Sequence, residues 1–322
     1  FPAGMLGVFL LAAGAPAWGS PHSPLPVHFL KRAGIFLIFF NQGVVLQREA
    51  VRSGFSQWKL HLLVQAAVFI WAPFLTGILL WLAHPVFDQA DLRFGFLFLS
   101  FLPTTVSSAI VFTTLCRGNV SGALFNCTLS TLLGVFITPF YCLSFLSIGQ
   151  GADITVLLQM LANIAVGLLV PLILGQLLRK NLTPVYAQHR KSVQRFNNGV
   201  ILFIVWTAFC MSFTEQIWRR ITALDLGICL GGVWLLLVLT HAVIWKCSGW
   251  LKLDAASRLT ALFCGSQKSL TVGLPLASIL FGEINGVDMS LLVIPLLIFH
   301  PMQLVFAGII APKLAVTNPP QR

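Results

Sequence analysis

The chain has 322 residues, 57% of them hydrophobic, a formal net charge of +11 and a mean hydropathy of +0.89. Only 9% are Asp, Glu, Lys or Arg, against roughly 25% in an average soluble domain, and a soluble fold cannot hide so much apolar surface. The composition excludes an ordinary soluble domain and reads as a polytopic membrane protein.

In lipid the choice is between helices and a closed barrel. The apolar runs are long and continuous rather than alternating, which selects helices. In chain order they fall at about 2–18, 33–48, 58–84, 94–116, 120–147, 154–178, 197–214, 224–245, 257–281 and 288–312, ten spans bounded by charged residues. The first run, FPAGMLGVFLLAAGAPAWG, has no basic leader region and reads as a membrane helix rather than a signal peptide. The second closes on FFNQG, which puts Asn41 and Gln42 near the interface. The 7 cysteines show no CxxC spacing and read as small buried apolar residues, neither metal ligands nor disulfides.

With the N-terminus cytoplasmic, fourteen Lys and Arg fall on the cytoplasmic side and five opposite. That bias predicts that both termini are cytoplasmic, in a plasma or bacterial inner membrane. The basic excess therefore sets orientation and does not point to nucleic acid, since no stacking-aromatic pattern accompanies it. The longest polar stretch, Arg179 to Arg195, lies between spans six and seven. It reads as a topology determinant and hinge, with contact to anionic lipid head groups as a further expectation.

Ten spans divide into five and five, and an odd number per half makes the second half run the opposite way. In such proteins the site lies where matching helices of the two halves are broken. Span four contains FLPTTVSSAIVFTTLCRGN and span nine contains CGSQKSLTVGLPL. Pro103 stands ten residues after Arg93 and Lys268 ten after Arg258. Ten helical residues reach about 15 Å, near the middle of the bilayer core. The structural breaks are expected at Pro103, Gly265 and Pro275. Thr104, Thr105, Ser107 and Ser108 offer hydroxyls at the first break, and Ser266, Gln267, Ser269 and Thr271 crowd the second. Each alone could be a helix-packing residue, but their matched placement favours a binding site.

Lys268 is the sharpest feature. A cation at the bilayer centre costs at least about 2.5–3.5 kcal/mol, so it must face a cavity or partners. No carboxylate lies inside a span, which leaves neutral oxygens as its neighbours: Thr104, Thr105, Ser107, Ser108, Asn126 and broken-helix carbonyls. Gln65, Asn126 and His300 are candidates for the same cavity, with helix packing at least as good a reading of His300.

VSSA (106–109), RGN (117–119), ITP (137–139), QKSLTVGLPL (267–276) and IPLLIFHP (294–301) resemble the bile acid/sodium symporter superfamily. FFNQG (39–43) and KLHLLVQ (59–65) are similar to its SBF-like branch, which includes the family's seventh human member. The resemblance covers essentially the whole chain. It implies an all-α protein of ten helices in two inverted five-helix repeats, with broken helices four and nine crossing at the midplane. A panel domain (1–48 and 154–214) and a core domain (58–147 and 224–312) are implied, with 313–322 as a cytoplasmic tail. The implied activity is alternating-access transport of amphipathic organic anions, in many members coupled to sodium.

Sodium-coupled relatives carry an acidic residue shortly before a Gln at the break of helix nine. Here that region reads FCGSQKS: Gln267 is present, the acid is absent, and Lys268 stands beside it. The Ser-Asn pair of helix four reads Ser107-Ser108, and two hydroxyl positions of helix five fall near Ala123 and Cys127. An ammonium in place of a carboxylate repels a cation in a low-dielectric site. The expectation is a sodium-independent transporter with no cofactor, or one coupled to protons through Lys268. The alternatives are a sodium-coupled symporter of bile-acid type, or a non-transporting membrane regulator, for instance of calcium handling. An enzyme finds no support, since the chain has no HExxH, no GxSxG and no paired carboxylates within a span. Substrate identity and oligomeric state stay open.

Overall fold

The computed structural model describes residues 2–19, 23–45, 57–150, 154–214, 216, 221–281 and 287–317, and every regular element among them is helical. Several residues used to bound spans or count charge, among them Arg48, Glu49, Arg52, Asp153, Glu215, Arg219, Arg220, Glu283 and Arg322, lie outside the described residues. In order, the helices are α1 (Pro2–Gly14), a single 3₁₀ turn (Pro16–Gly19) and α2 (Val27–Val45). Next come α3 (Trp58–Ala83, with a π turn at Ala67–Trp71), α4 (Ala90–Phe101), α5 (Val106–Leu115) and α6 (Val120–Gln150). Then follow α7 (Ile154–Gln188), α8 (Arg190–Thr214), α9 (Ala223–Trp250), α10 (Ala255–Ser266), α11 (Leu270–Phe281), α12 (Met289–Leu292) and α13 (Ile294–Thr317).

Five stretches are long and apolar enough to cross a membrane: Trp58–Ala83, Val120–Phe145, Arg190–Thr214, Ala223–Trp250 and Met289–Ala315. The α4–α5 pair makes a sixth if its 58° bend is counted within one span. This is an integral membrane protein built from helices.

Local chemistry explains where the helices stop. After α5, Gly118 N–H donates to Thr113 O at 2.8 Å and Arg117 N–H to Thr114 O at 3.0 Å. After α9, Leu253 N–H donates to Ser248 O at 3.1 Å and Lys252 N–H to Gly249 O at 3.0 Å. Both are Schellman closures, with Arg117 (φ 55°) and Lys252 (φ 54°) where glycine is usual. A cation there faces the negative end of the helix dipole, which offsets part of the left-handed strain. At the start of α10, Asp254 caps the helix by accepting from Ser257 N–H at 3.1 Å.

Backbone contacts divide the chain into two compact units. One comprises Phe1–Leu46, Leu143–Leu226 and Thr271–Val293; the other comprises Gln47–Cys142, Gly227–Leu270 and Ile294–Arg322. In the first unit α2 lies directly on α7. A Cβ on Gly43 would meet Leu172 O at 2.2 Å, and one on Gly175 would meet Phe40 O at 2.2 Å, so only glycine permits this approach. Polar side chains tie α2 to α7, with Gln176 Nε2 donating to Gly43 O at 2.7 Å and Tyr186 O–H to Asn41 Oδ1, and Asn41 Nδ2 ties α2 to α8 by donating to Asn197 Oδ1 at 2.8 Å.

Two expectations need correction. The 179–195 stretch is not a loop: α7 runs through Pro184 to Gln188 and α8 starts at Arg190. The Arg, Lys, Leu, Ala and Gln residues there are good helix formers, and they carry the helices past their apolar segments despite Pro184. The second break falls at 267–269. Gly265 lies in the last turn of α10 and Pro275 inside α11, six residues into the helix, where its missing N–H frees a single first-turn carbonyl.

Candidate functional site

The site is best built from the backbone carbonyls that two prolines leave without donors. Pro73 in α3 has no N–H, so it cannot serve Phe69 O in the α register or Val68 O in the π register. Phe69 O accepts from Tyr141 O–H at 3.1 Å and Val68 O from Lys268 Nζ at 2.8 Å. Pro103 does the same to Leu99 O, and the chain then runs extended over 102–105.

Nearly every carbonyl freed there has a donor. Leu99 O accepts from Leu102 N–H at 3.3 Å. Ser100 O and Leu102 O accept from Lys268 Nζ at 2.6 and 2.9 Å. Phe101 O accepts from Thr138 O–H at 2.7 Å, Pro103 O from Ser269 N–H at 2.9 Å, and Thr105 O from the Cys127 thiol at 3.6 Å. Thr104 N–H donates to Ser130 Oγ at 3.0 Å. A Cβ on Gly134 would stand 2.8 Å from the Pro103 ring, so glycine lets α6 approach this break closely.

Lys268 is 2% exposed. Its three Nζ contacts, to Val68, Ser100 and Leu102, match the three donors of an ammonium group. Charge-assisted bonds to three carbonyls satisfy the buried cation without any carboxylate. Its own peptide is held by Gln303: Lys268 N–H donates to Gln303 Oε1 at 2.8 Å, and Gln303 Nε2 donates back to Lys268 O at 2.9 Å. The two breaks therefore cross in direct hydrogen-bonded contact, joined by Lys268 Nζ and Ser269 N–H.

The sequence-predicted residues divide around this crossing. Gln267 is fully buried; its Oε1 accepts from Ser108 O–H, while its Nε2 has no partner among the described residues. Thr104 Oγ1 is likewise buried without a partner. Ser266 O–H donates to Leu262 O at 2.6 Å, and its Oγ stands 3.0 Å from His241 Nε2. Thr105 contributes its carbonyl to the crossing, and Ser107 is exposed. Asn126 and Gln65 form a separate network between α3 and α6. Gln65 Nε2 donates to Asn126 Oδ1 at 3.3 Å, and Asn126 Nδ2 donates to Gly122 O at 2.8 Å and to His61 Nδ1 at 3.0 Å. His300 joins the crossing indirectly, its Nδ1 standing 3.0 Å from Gln303 Nε2.

Of the neighbours expected for the Lys268 ammonium, the broken-helix carbonyls are the ones it meets, at Ser100 and Leu102 and also at Val68, while the expected hydroxyls and the Asn126 amide do not reach it. Gln303, His241, His61, Pro73 and Tyr141 were missed. Pro73 carried a signal, a proline inside an apolar span; Gln303, three residues from His300, carried one too.

Crossed broken helices inside an apolar, all-helical chain are the architecture of an integral membrane transporter. The chain belongs to the SBF-like CPA transporter family, whose model matches residues 1–316. It is 37% identical over 320 residues to the uncharacterized protein PA2026 of Pseudomonas aeruginosa, covering 98% of this chain and 92% of that protein. It is 34% identical over 308 residues to YfeH of Escherichia coli, provisionally named a symporter, covering 95% and 90%. It is 29% identical over 324 residues to sodium/bile acid cotransporter 7 of Danio rerio, covering 98% and 93%.

Proposed function

We propose that this chain is a secondary transporter of an amphipathic organic anion in which the Lys268 ammonium replaces a coupling sodium ion. The observation that carries the reading is the triple donation of Lys268 Nζ to Val68 O, Ser100 O and Leu102 O, where the two breaks cross. An alkali cation stabilises such a crossing by collecting carbonyl oxygens, and here a fixed cation already collects them. The residues do not suit sodium: those carbonyls face an ammonium, and neither 92–116 nor 255–281 contains an Asp or Glu. The ammonium is fully occupied, so it does not serve as the anion's own binding group. Gln267 Nε2 and Thr104 Oγ1, buried and without partners among the described residues, are the polar atoms this reading assigns to a bound ligand or water.

The same reading carries ten spans in inverted five-helix repeats, a core of 58–147 and 224–312 moving against a panel of 1–48 and 154–214, and cytoplasmic termini. The exposed cations Lys180, Arg190, Lys191 and Arg195 would lie against anionic lipid head groups on the cytoplasmic side.

The test is uptake of radiolabelled bile acids and steroid sulfates into proteoliposomes, with sodium replaced by choline. Uptake should be unchanged by the replacement. A sodium requirement would overturn the reading in favour of a sodium-coupled symporter, and failure of every organic anion would favour a non-transporting regulator.

A further inference from the structure

Gln303 holds the Lys268 peptide by both ends of its amide, at 2.8 and 2.9 Å. One end meets an N–H and the other a carbonyl, so backbone chemistry dictates which end is oxygen. Nε2 therefore points its remaining hydrogen at His300 Nδ1, 3.0 Å away. That contact requires Nδ1 to be an acceptor, which makes His300 the neutral Nε2–H tautomer while the amide is engaged. A proton on Nδ1 would set N–H against N–H. Turning the Gln303 amide to relieve this would set its nitrogen against the Lys268 N–H and its oxygen against the Lys268 carbonyl. Protonated His300 and the intact Gln303 clamp exclude each other.

We infer that His300 Nδ1 is a proton-binding site of this transporter, and that proton uptake there releases Gln303 from the Lys268 peptide and loosens the crossing. Gln303 is fully buried, whereas His300 is half-buried, so the titrating group is the one a proton can reach. The proton adds to the Nδ1 lone pair and leaves by the same route, with no other bond made or broken. The inference rests on the sodium-independent reading for its coupling role: with the fixed Lys268 ammonium in the cation's position, it names a mobile ion that the transporter can still bind and release.

The charged and titratable groups around His300 are few. α13 packs against α4, α5 and α10, and α10 carries Arg258 near its start and the Cys264 thiol. α5 carries none, and α4 carries Asp91 and Arg93, both near its start. The Lys268 ammonium is turned to Val68, Ser100 and Leu102. His241 of α9 meets α13 further along, at Phe306, with ring centroids 4.8 Å apart. Cys116 donates to Ala311 O, and Lys313 lies beyond it on α13.

The experiment is thermal unfolding of the purified full chain in detergent at pH 8 and pH 5.5, comparing wild type with His300→Asn. The Asn Oδ1 takes the place of Nδ1 as an acceptor that does not titrate, and His300→Gln serves if that variant fails to fold. Wild type should lose about 2–4 °C more than the variant on acidification. In a Gln303→Met background that difference should vanish. Parallel losses in wild type and variant, or a difference that survives Gln303→Met, would overturn the proton site. If uptake requires sodium while the Tm difference holds, the sodium-independent reading falls and the proton site stands.

Discussion

The two broken helices meet as unlike partners. The break between α4 and α5 is a set of acceptors: Ser100, Phe101, Leu102, Pro103 and Thr105 all present carbonyls outside any helical ladder. The break between α10 and α11 is a source of donors, Lys268 Nζ and Ser269 N–H. Each break alone would leave unsatisfied polar groups in an apolar interior, at several kcal/mol apiece. Crossed, the second break serves the carbonyls of Ser100, Leu102 and Pro103, and α6 serves those of Phe101 and Thr105. The contrast with α2 and α7 is instructive, because those helices run on without an extended break, α7 even through Pro171 and Pro184, and lie close through glycines and neutral amides.

That comparison can be broken most severely at the donor. Lys268→Met keeps an unbranched apolar stem but removes the ammonium, strands three buried carbonyls and should destabilise the protein by about 3–5 kcal/mol, measured by chemical unfolding in mixed micelles. Gln303→Met leaves the donor in place but frees the Lys268 peptide, and a loss of about 2 kcal/mol is expected in the same assay. On the acceptor side, Thr138→Val removes one hydroxyl from Phe101 O and should cost about 1 kcal/mol. Ser107→Ala sharpens the contrast from below: the residue is exposed, and its replacement should shift stability by less than about 0.5 kcal/mol. Equal effects from Lys268→Met and Ser107→Ala would mean that the crossing is not held by the ammonium.

Much of this was legible in the sequence. Lys268 and Pro103 stood out because a cation and a proline are both expensive within a span, and their equal offsets from Arg258 and Arg93 pointed to one another. The identity of the ammonium's partners was hidden, since any residue can offer a carbonyl and its availability depends on a distant proline or a π turn. Pro73 freed Val68 O through a register change that only three-dimensional structure reveals. Pro275 misled in the opposite sense, because six residues into α11 its missing N–H frees a single carbonyl and the helix continues through it. Gln303 was overlooked beside the more conspicuous His300, and its role depends on a backbone contact 35 residues away. The helical extension through Arg179–Arg195 was obscured by polarity, which reports exposure better than it reports conformation.

The central claim is that a fixed ammonium stands where a coupling cation would bind, and it can be tested without knowing the substrate. Thermal unfolding of the purified wild-type chain should be measured across a sodium chloride titration, with choline chloride holding ionic strength constant. A bound ion at 100 times its Kd stabilises by about 2.7 kcal/mol, an easily resolved shift. The account predicts no sodium-specific change in Tm; a saturable rise with sodium, absent with choline, would contradict it.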